Sequence, residues 1–366
     1  MNTGLERLLF YITRAAIVML WVGIIAIFLY SPYVSQFFAD QNSINIYTWA
    51  DIFSEGDISQ FEAETGIKVN LVYYDNSEEL MTKLDFSKGR GYDMLLSGDS
   101  NIPDLVNKGI LGRIDQSKLD FWHALEPNLL NLPYDPMNRY SIPYSWDVYG
   151  VGINLAKFNS IIPPASWQII FDPTLKIKNV GMMEEGLRSI SIAIQYLYGK
   201  VEHLNEKQID AVKDLLLKQK ESVVVYTELL GDYLLFSGTS PAVATQAAYV
   251  KRIMNMLDNG QQLKFIIPKE GGFIATENFC IFSGTKKEDL VYRFINFMFQ
   301  KSIVSRFATK TIFLPTRRDV LESLDLDYLG GIDYLLNPET FQKFALFKYI
   351  MPRDIVSRVW IEVKAS

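Results

Sequence analysis

I-N-I-Y-T-W-A-D, residues 44–51, is the stretch from which the fold can be worked out. Isoleucine and threonine alternate in it with asparagine, tyrosine and tryptophan, which is the period-2 pattern of a β-strand. Asp51 and Ser54 then stand where a helix could begin, ahead of the run from Asp57 to Thr65. Because open α/β sheets bind ligands just beyond the carboxyl ends of their strands, we expect Trp49 and Asp51 to meet a ligand.

An aromatic ring beside a carboxylate suits a small organic cation, which the ring face attracts and the carboxylate neutralises. The same two residue types also suit packing, with Trp49 in the core and Asp51 at the start of a helix. The residues alone leave both interpretations open.

Composition narrows the class of protein. The 366 residues are 49% hydrophobic, so we expect a large core divided between two lobes. The formal charge of −6 and the absence of a basic cluster argue against nucleic acid as a partner. Cys280 is the single cysteine, and His123 and His203 stand in unrelated contexts. We therefore expect no disulfide, no metal site and no cofactor.

The N-terminus contains an uncharged apolar run, AAIVMLWVGIIAIFLY, from Ala15 to Tyr30. With the weakly polar residues up to Asp40, it has about the length of a bilayer-spanning helix. Arg7 and Arg14 place the N-terminus in the cytoplasm and therefore the residues after Asp40 outside it. A cleaved signal peptide is the alternative, but no A-x-A site precedes Asp40, so we expect residues 1–40 to be an uncleaved anchor.

Strand and helix patterns alternate along the rest of the chain. Ser77 begins a predicted helix whose apolar positions are Leu80, Leu84 and Phe86. The short buried strand Tyr92–Leu96 is followed by the small polar residues S-G-D-S at 97–100.

Two of these small polar residues, Asp99 and Ser100, have alternative roles. They could present oxygens to a ligand at the strand end, or cap the next helix, and the pattern leaves both open.

The candidate crossing between two α/β units lies after a turn-rich segment, residues 133–143, where Val148–Ile153 is a predicted strand. We predict a first lobe from residues 44–147 with 277–323. The second lobe is predicted from residues 148–276 with 324–366.

Several motifs resemble the substrate-binding subunits of polyamine ABC importers, the spermidine/putrescine-binding family. They are W-A-D at 49–51, F-E-A-E-T-G-I-K-V at 61–69, G-Y-D at 91–93, I-D-Q-S-K-L at 114–119, Y-D-P-M-N-R-Y-S-I-P-Y-S-W at 134–146, G-V-G-I-N at 150–154, P-K-E-G-G at 268–272 and I-N-F at 295–297. They occur in the same order as in the family and cover nearly all of the chain after the apolar run.

The resemblance implies an α/β fold of the two-lobed periplasmic-binding-protein type (type II, Venus-flytrap), here with an N-terminal transmembrane helix. It implies a periplasmic protein on the inner membrane that binds putrescine or spermidine between its lobes and delivers it to a permease. Carboxylates would pair with the ammonium groups and aromatic rings would contact the methylenes. The candidate ligand-binding residues are Trp49, Asp51, Asp99, Ser100, Trp146, Glu185, Tyr249, Glu277 and Phe313.

The chain departs from the family pattern at five places around the expected pocket. Aromatic residues are replaced by Ile52, Gln246 and Ala275, the segment 97–100 keeps only Ser100, and Arg188 stands where one branch has a second carboxylate. These changes leave room for a different amine or an amino acid as the ligand.

Two other classes of function are alternatives to a binding protein. An enzyme on this fold would need a nucleophile–base pair, a phosphate-binding loop or a metal cluster, and the sequence offers none, so we expect no catalysis. A membrane-anchored sensor that has lost transport is the other alternative, and the replaced aromatic residues motivate it.

Overall fold

The structure is a computed structural model that describes residues 12–21, 23, 42–50, 52–158, 163–257 and 262–366. Its centre is one mixed sheet with the strand order β2-β1-β3-β9-β4-β7-β5-β6, while β8 and β10 pair with β4, and β11 pairs with β9. The strands are β1 Ser43–Thr48, β2 Lys68–Tyr73, β3 Met94–Gly98, β4 Ile142–Asn154, β5 Val180–Met182, β6 Val223–Tyr226, β7 Ala242–Gln246, β8 Leu263–Ile266, β9 Phe273–Ile281, β10 Leu314–Pro315 and β11 Ala345–Leu346.

The helices cover the faces and ends of this sheet. They are Glu55–Thr65, Ser77–Ser87, Ile102–Asn107, Gln168–Phe171, Gly186–Tyr198, Glu206–Lys220, Gly231–Phe236, Ala247–Met256, Glu288–Met298, Lys301–Thr311, Arg318–Leu321, Ile332–Leu335, Pro338–Phe341 and Arg353–Ala365. Residues 12–21 are also helical.

The first strand and helix form where the sequence predicts them. The Ser54 side chain accepts a hydrogen bond from the Asp57 amide and so begins the helix Glu55–Thr65. Gly66, with φ of 69°, ends it in the left-handed conformation that glycine adopts readily.

The helix Ser77–Ser87 also forms as predicted, with one error in its apolar face. Leu80 and Leu84 are buried, but Phe86 is 82% exposed. Six residues after Leu80 correspond to roughly 240° around a helix of 3.6 residues per turn, so Phe86 cannot share that face.

Buried hydrophobic clusters define two lobes. The first lobe surrounds β1–β3, and its core includes Ile46 and Phe279. The second lobe surrounds β5–β7, and its core includes Met182 and Val359. A third cluster includes Trp146 of β4 and Val243 of β7, and a fourth, with Leu80 and Leu84, packs beside β1 and β3. The two-lobed α/β fold expected from the sequence is therefore present, while the lobe boundaries given above stay a prediction.

The strands β4 and β9 connect the lobes. In β4, Tyr144 packs in the first core and Val151 in the second. In β9, which pairs with β4 in antiparallel fashion, Phe279 packs in the first core and Phe273 in the second. The crossing predicted at Val148–Ile153 is thus part of a longer strand.

The predicted membrane anchor lies largely outside the described residues, which omit 1–11, 22 and 24–41. Among the helices that the structure does describe, none has both the length and the apolar character needed to cross a bilayer.

Candidate ligand-binding site

Asp99 and Glu277 come together at the first-lobe end of the cleft because β3 and β9 are neighbours in the sheet. Gly98 at the end of β3 is the register partner of Glu277, and Asp99 follows it directly. Asp99 is 3% exposed, whereas Glu277 is partly buried. The indole N–H of Trp49 donates a hydrogen bond of 3.0 Å to Oε2 of Glu277. Three of the residues predicted from sequence therefore share one site.

Burial disfavours the charged form of both carboxylates. Desolvation raises the pKa of Glu277 to about 8, against the opposing effect of the Trp49 hydrogen bond, and nearby Asp99 raises it further. Desolvation also raises the pKa of Asp99 to about 7, although hydrogen bonds from Thr276 and Ser100 oppose it. Neither carboxylate forms an ion pair with a residue that the structure describes. A cation between them would relieve this desolvation.

Asp99 does not cap the following helix. The turn Asp99–Asn101 and the helix Ile102–Asn107 both begin without a hydrogen bond from a capping side chain. Oδ2 of Asp99 instead accepts from the backbone N–H of Thr276, at 3.2 Å, on β9. The capping interpretation therefore does not hold for Asp99, while a ligand-facing role for this segment stays a prediction. Ser100 is partly buried beside Asp99.

The Trp49 ring is held from two sides. Its centroid lies 4.6 Å from that of Tyr74, whose hydroxyl donates to the Leu96 carbonyl at 2.8 Å. Its N–H is held by Glu277. The ring is therefore oriented before any ligand arrives, and its exposed part offers a face to an alkyl chain or a cation.

The second-lobe side of the cleft is built around Arg188. Its Nε lies 3.0 Å from Oε2 of Glu185, and its Nη1 lies 2.7 Å from Oε2 of Glu228. The other Glu228 oxygen accepts the Glu185 backbone N–H at 2.8 Å. The guanidinium also lies over the rings of Tyr149 and Phe347, at 5.1 and 5.6 Å from their centroids. We call Glu185, Arg188 and Glu228 the second-lobe triad.

The triad and the first-lobe carboxylates influence each other across the cleft. The charge of Arg188 acts to lower the pKa of both Asp99 and Glu277. Burial acts to lower the pKa of Arg188 itself, but Tyr149, Glu228, Glu185 and Glu277 together raise it above its ordinary value. Burial raises the pKa of Glu185, and Arg188 opposes that effect. Arg188 is therefore a permanent positive charge within this site.

Gln246 replaces a family aromatic residue and lies beside Tyr149. Its Nε2 donates to the Tyr149 hydroxyl, while its Oε1 is buried and has no hydrogen-bond partner in the described parts of the chain. Asp147 lies nearby on β4, where burial raises its pKa to about 8 and the backbone N–H of Ala248 donates to it at 3.1 Å. The Gln246 amide oxygen and the Asp147 carboxylate are thus buried acceptors close to Tyr149.

The remaining predicted residues have different positions. Trp146 is 1% exposed in a hydrophobic cluster with Val148 and Leu314, and its N–H donates to the Pro315 carbonyl at 3.2 Å, which supports a packing role. Tyr249 and Phe313 are partly buried with their ring centroids 6.4 Å apart. Asp51 lies outside the described residues.

Glu228, Tyr149 and Phe347 are site residues that the sequence analysis did not identify. Glu228 is 43 positions away from Glu185, to which it is hydrogen bonded. No local motif marks such a pair, and only the pairing of β5 with β6, which brings Met182 opposite Tyr226, puts their loops side by side.

The P-K-E-G-G motif at 268–272 contacts the second lobe and precedes β9. Glu270 accepts hydrogen bonds from the Ser166 hydroxyl and the Trp167 amide, and the Gly271 carbonyl accepts the Trp167 indole N–H at 3.0 Å. The motif therefore anchors the strand that carries Glu277, and its Glu270 side chain is engaged within the second lobe.

Residues 58–327 match the family described as bacterial extracellular solute-binding protein. The chain belongs to this family. Solute-binding proteins of known function resemble it along almost its whole length. The putrescine-binding periplasmic protein PotF of Escherichia coli is 28% identical over 365 residues, which cover 94% of this chain and 97% of that protein. A putrescine/agmatine-binding protein of Pseudomonas aeruginosa is 26% identical over 343 residues, covering 90% and 93%.

Solved structures of solute-binding proteins show the same fold. A putative spermidine/putrescine ABC transporter protein from Listeria monocytogenes superimposes with a TM-score of 0.76 at 22% identity, covering 88% of this chain and 99% of that one. The substrate-binding protein PotD of Streptococcus pneumoniae gives 0.74 at 21% identity, covering 88% and 98%. The resemblance to both confirms the two-lobed architecture expected from the sequence.

Proposed function

We propose that this solute-binding protein captures a polyamine such as putrescine or spermidine between its lobes, outside the cytoplasm, and delivers it to an ABC permease. The observation that carries the proposal is the pair Asp99 and Glu277, two desolvated carboxylates with no ion-pair partner in the described chain, beside the Trp49 ring. An alkyl ammonium supplies the missing positive charge, and its methylenes can lie along the ring. The names of the relatives support the same ligand class.

The activity proposed is binding and not catalysis. The second-lobe carboxylates Glu185 and Glu228 are both engaged by Arg188, so neither is placed to act as a general base. Closure of the lobes around the ligand would complete the cavity, as in other hinged binding proteins.

A thermal-shift series tests the ligand class. The purified full chain is heated with putrescine, cadaverine, agmatine, spermidine, spermine and a set of amino acids. A ligand that binds only the folded state raises the melting temperature by mass action. A rise with an alkyl amine supports the proposal, whereas a rise with amino acids alone shows that the site takes a zwitterion.

We also propose that residues 1–40 anchor the protein in the inner membrane with the lobes in the periplasm. The uncharged run Ala15–Tyr30 after Arg7 and Arg14 supports this topology. N-terminal sequencing and membrane fractionation of the native protein test it. An intact Met1 in a fraction that resists high salt is expected, and a new N-terminus near Asp40 in the soluble fraction would contradict it.

A further inference from the structure

A cavity of about 380 Å³ lies in the second lobe, at the strand ends that point away from the cleft. Lys157 follows β4, the segment 176–179 precedes β5, and the segment 238–241 precedes β7. Because β7 runs parallel to β5 and antiparallel to β4, these three segments meet at one edge of the sheet. The other ends of β5 and β7 lead to the candidate ligand-binding site, and the five residues of β7 put roughly 16 Å between the two sites.

Three lysines, Lys157, Lys176 and Lys178, line this cavity, which we call the lysine cavity. Within the described parts of the chain, none of their ammonium groups forms an ion pair or a hydrogen bond, and no acidic residue lines the cavity. Lysines elsewhere do pair, as Lys251 does with Asp325 at 2.7 Å. In a chain with a formal charge of −6, three unpaired positive charges around one cavity favour an anionic ligand.

The backbone shapes the walls that carry these lysines. Gly238 has φ of +66°, and a Cβ there would lie 3.0 Å from Nζ of Lys157, so the ammonium group lies directly over this turn. Lys176 and Asn179 have φ of +54° and +59°, in the left-handed region that few residues other than glycine adopt. The chain therefore bends sharply at both ends of the segment that holds Lys178. Strained backbone of this kind clusters at functional sites.

We propose that the lysine cavity binds a phosphomonoester, with its phosphoryl group held among the three ammonium groups. At pH 7 such a group carries between about 1.5 and 2 negative charges on three terminal oxygens, so several separate point charges can surround it. Lysine binds phosphate as a point charge, whereas a carboxylate is matched best by the planar fork of arginine, and no arginine is among the described residues that line the cavity. Phe158, Leu175 and Ile177 line the same cavity and offer apolar contact to the organic part of the ester.

The lysine cavity and the candidate ligand-binding site share no residue, so the inference does not rest on the proposed function. Amine affinity should be the same in wild-type protein and in every variant of the cavity. A chain that binds amines but no phosphomonoester would overturn this inference alone, and a chain that binds a phosphomonoester but no amine would overturn only the proposed function.

Phosphorus-31 NMR titrations of the full chain test the proposal with two sources of the same chemical group. One is glycerol 3-phosphate, and the other is dihexanoyl phosphatidic acid, a lipid kept monomeric below its micelle concentration. Binding broadens the ligand resonance, and acetate at equal ionic strength should not reverse the broadening. Tighter binding of the lipid identifies a membrane headgroup as the source, whereas equal or weaker binding of the lipid identifies a small ester in solution.

Lys157→Gln and Lys178→Gln should each weaken binding about fivefold, since each removes one ammonium group beside the phosphoryl group. Thr239→Glu places a carboxylate in the lining of the cavity and should abolish binding, whereas Thr239→Gln should retain most of it. All three positions are exposed, so we expect these variants to fold, which circular dichroism checks.

Lys310→Gln is the matched control, because Lys310 is exposed on the first-lobe helix Lys301–Thr311 and its loss changes the total charge equally. It should bind as the wild type does. Wild-type protein that broadens neither phosphorus resonance overturns the inference. Displacement of the phosphate by acetate also overturns it, as do equal affinities for Lys178→Gln and Lys310→Gln.

Discussion

Glu277 combines a charge and a hydrogen bond in one side chain, so its replacement tests the ligand site at the residue scale. In Glu277→Gln the indole N–H of Trp49 can still be satisfied by the amide oxygen, but the negative charge is lost. Loss of one partner of a buried charge pair costs roughly 2–5 kcal/mol, so amine affinity should fall by about 30-fold or more. Isothermal calorimetry with the preferred amine at pH 8 measures the change.

Glu221→Gln is the matched control for that experiment, because Glu221 is exposed at the end of the helix Glu206–Lys220, away from the cleft. It should bind as the wild type does. Equal affinities for Glu277→Gln and Glu221→Gln would remove Glu277 from the site.

The raised pKa values of Asp99 and Glu277, about 7 and about 8, predict proton release on binding. An ammonium favours the ionised carboxylates, so affinity should rise as the pH increases from 6 to about 8. Calorimetry in buffers of different ionisation enthalpy measures the released protons. A binding enthalpy that is the same in every buffer at pH 7 would contradict this expectation.

The stability of the ligand-free protein depends on pH in the opposite direction, falling as the pH rises. The two carboxyl groups hold their protons in the folded state at pH values where the unfolded chain has lost them. Their contribution is therefore complete below the unfolded values near 4 and is lost as the pH rises through about 7 and about 8. Glu277→Gln should reduce this loss of melting temperature between pH 5 and 8.

Single residues also show how much of the candidate site can be predicted from the sequence alone. Trp49 and Asp99 were chosen because each follows a predicted strand, and Glu277 because the resemblance implies an acidic residue there; the structure brings the three together, and their role in binding stays a prediction. Glu228 was missed, since its approach to Arg188 depends on how two loops of the second lobe pack. Arg188 was noticed as a departure, but its ion pairs could not be foreseen without the position of Glu228.

At the scale of secondary-structure elements, the conformation of the turn before β9 explains why the P-K-E-G-G motif has a glycine at 271. Gly271 has φ of +103°, and a Cβ there would lie 2.2 Å from the Lys343 carbonyl oxygen. Gly271→Ala should therefore destabilise the fold by roughly 1–3 kcal/mol, through backbone strain and the collision together. Chemical denaturation measures the loss.

Gly284→Ala serves as the control for Gly271→Ala, since no atom beyond the chain neighbours of Gly284 lies within 4 Å of a Cβ at that position. Its free energy of unfolding should stay within about 0.5 kcal/mol of the wild type. Similar values for the two variants would show that the turn before β9 relaxes freely.

Strand β4 shows where pattern reading fails at the element scale. All thirteen residues of Ile142–Asn154 are buried, Ser145 and Asp147 included, so the strand has no solvent-exposed polar face to mark it. Only its glycine- and valine-rich second half resembled a strand, and Pro143 made the first half look like a turn. Half-exposed elements such as the helix Glu55–Thr65 carry a clearer signal, because one face stays polar.

At the scale of the whole molecule, an ion pair joins a helix of one lobe to a helix of the other. Arg353 at the start of the last helix lies 2.7 Å from Asp104 of the helix Ile102–Asn107 in the first lobe. Both side chains are more than a third exposed, so the pair should contribute at most about 1 kcal/mol. Its removal should favour a more open arrangement of the lobes.

A double-mutant cycle of Arg353→Gln and Asp104→Asn tests this link. Each single variant should weaken amine affinity a few-fold and increase the radius of gyration of the ligand-free protein in small-angle scattering. The effects on affinity and radius of gyration in the double variant should be little larger than in either single variant, because the second change removes a residue whose ion-pair partner is already absent. Additive effects would mean that the two residues act separately.

The strands that both lobes share have a consequence for how the molecule comes apart. Proteins built of two separate cores often melt in two steps, one for each core. Here β4 and β9 supply side chains to both cores and hydrogen-bond to each other along most of their length. If the strands of one lobe unfold, the hydrophobic core of the other lobe loses the side chains that β4 and β9 supply to it. We therefore expect differential scanning calorimetry to record a single cooperative transition.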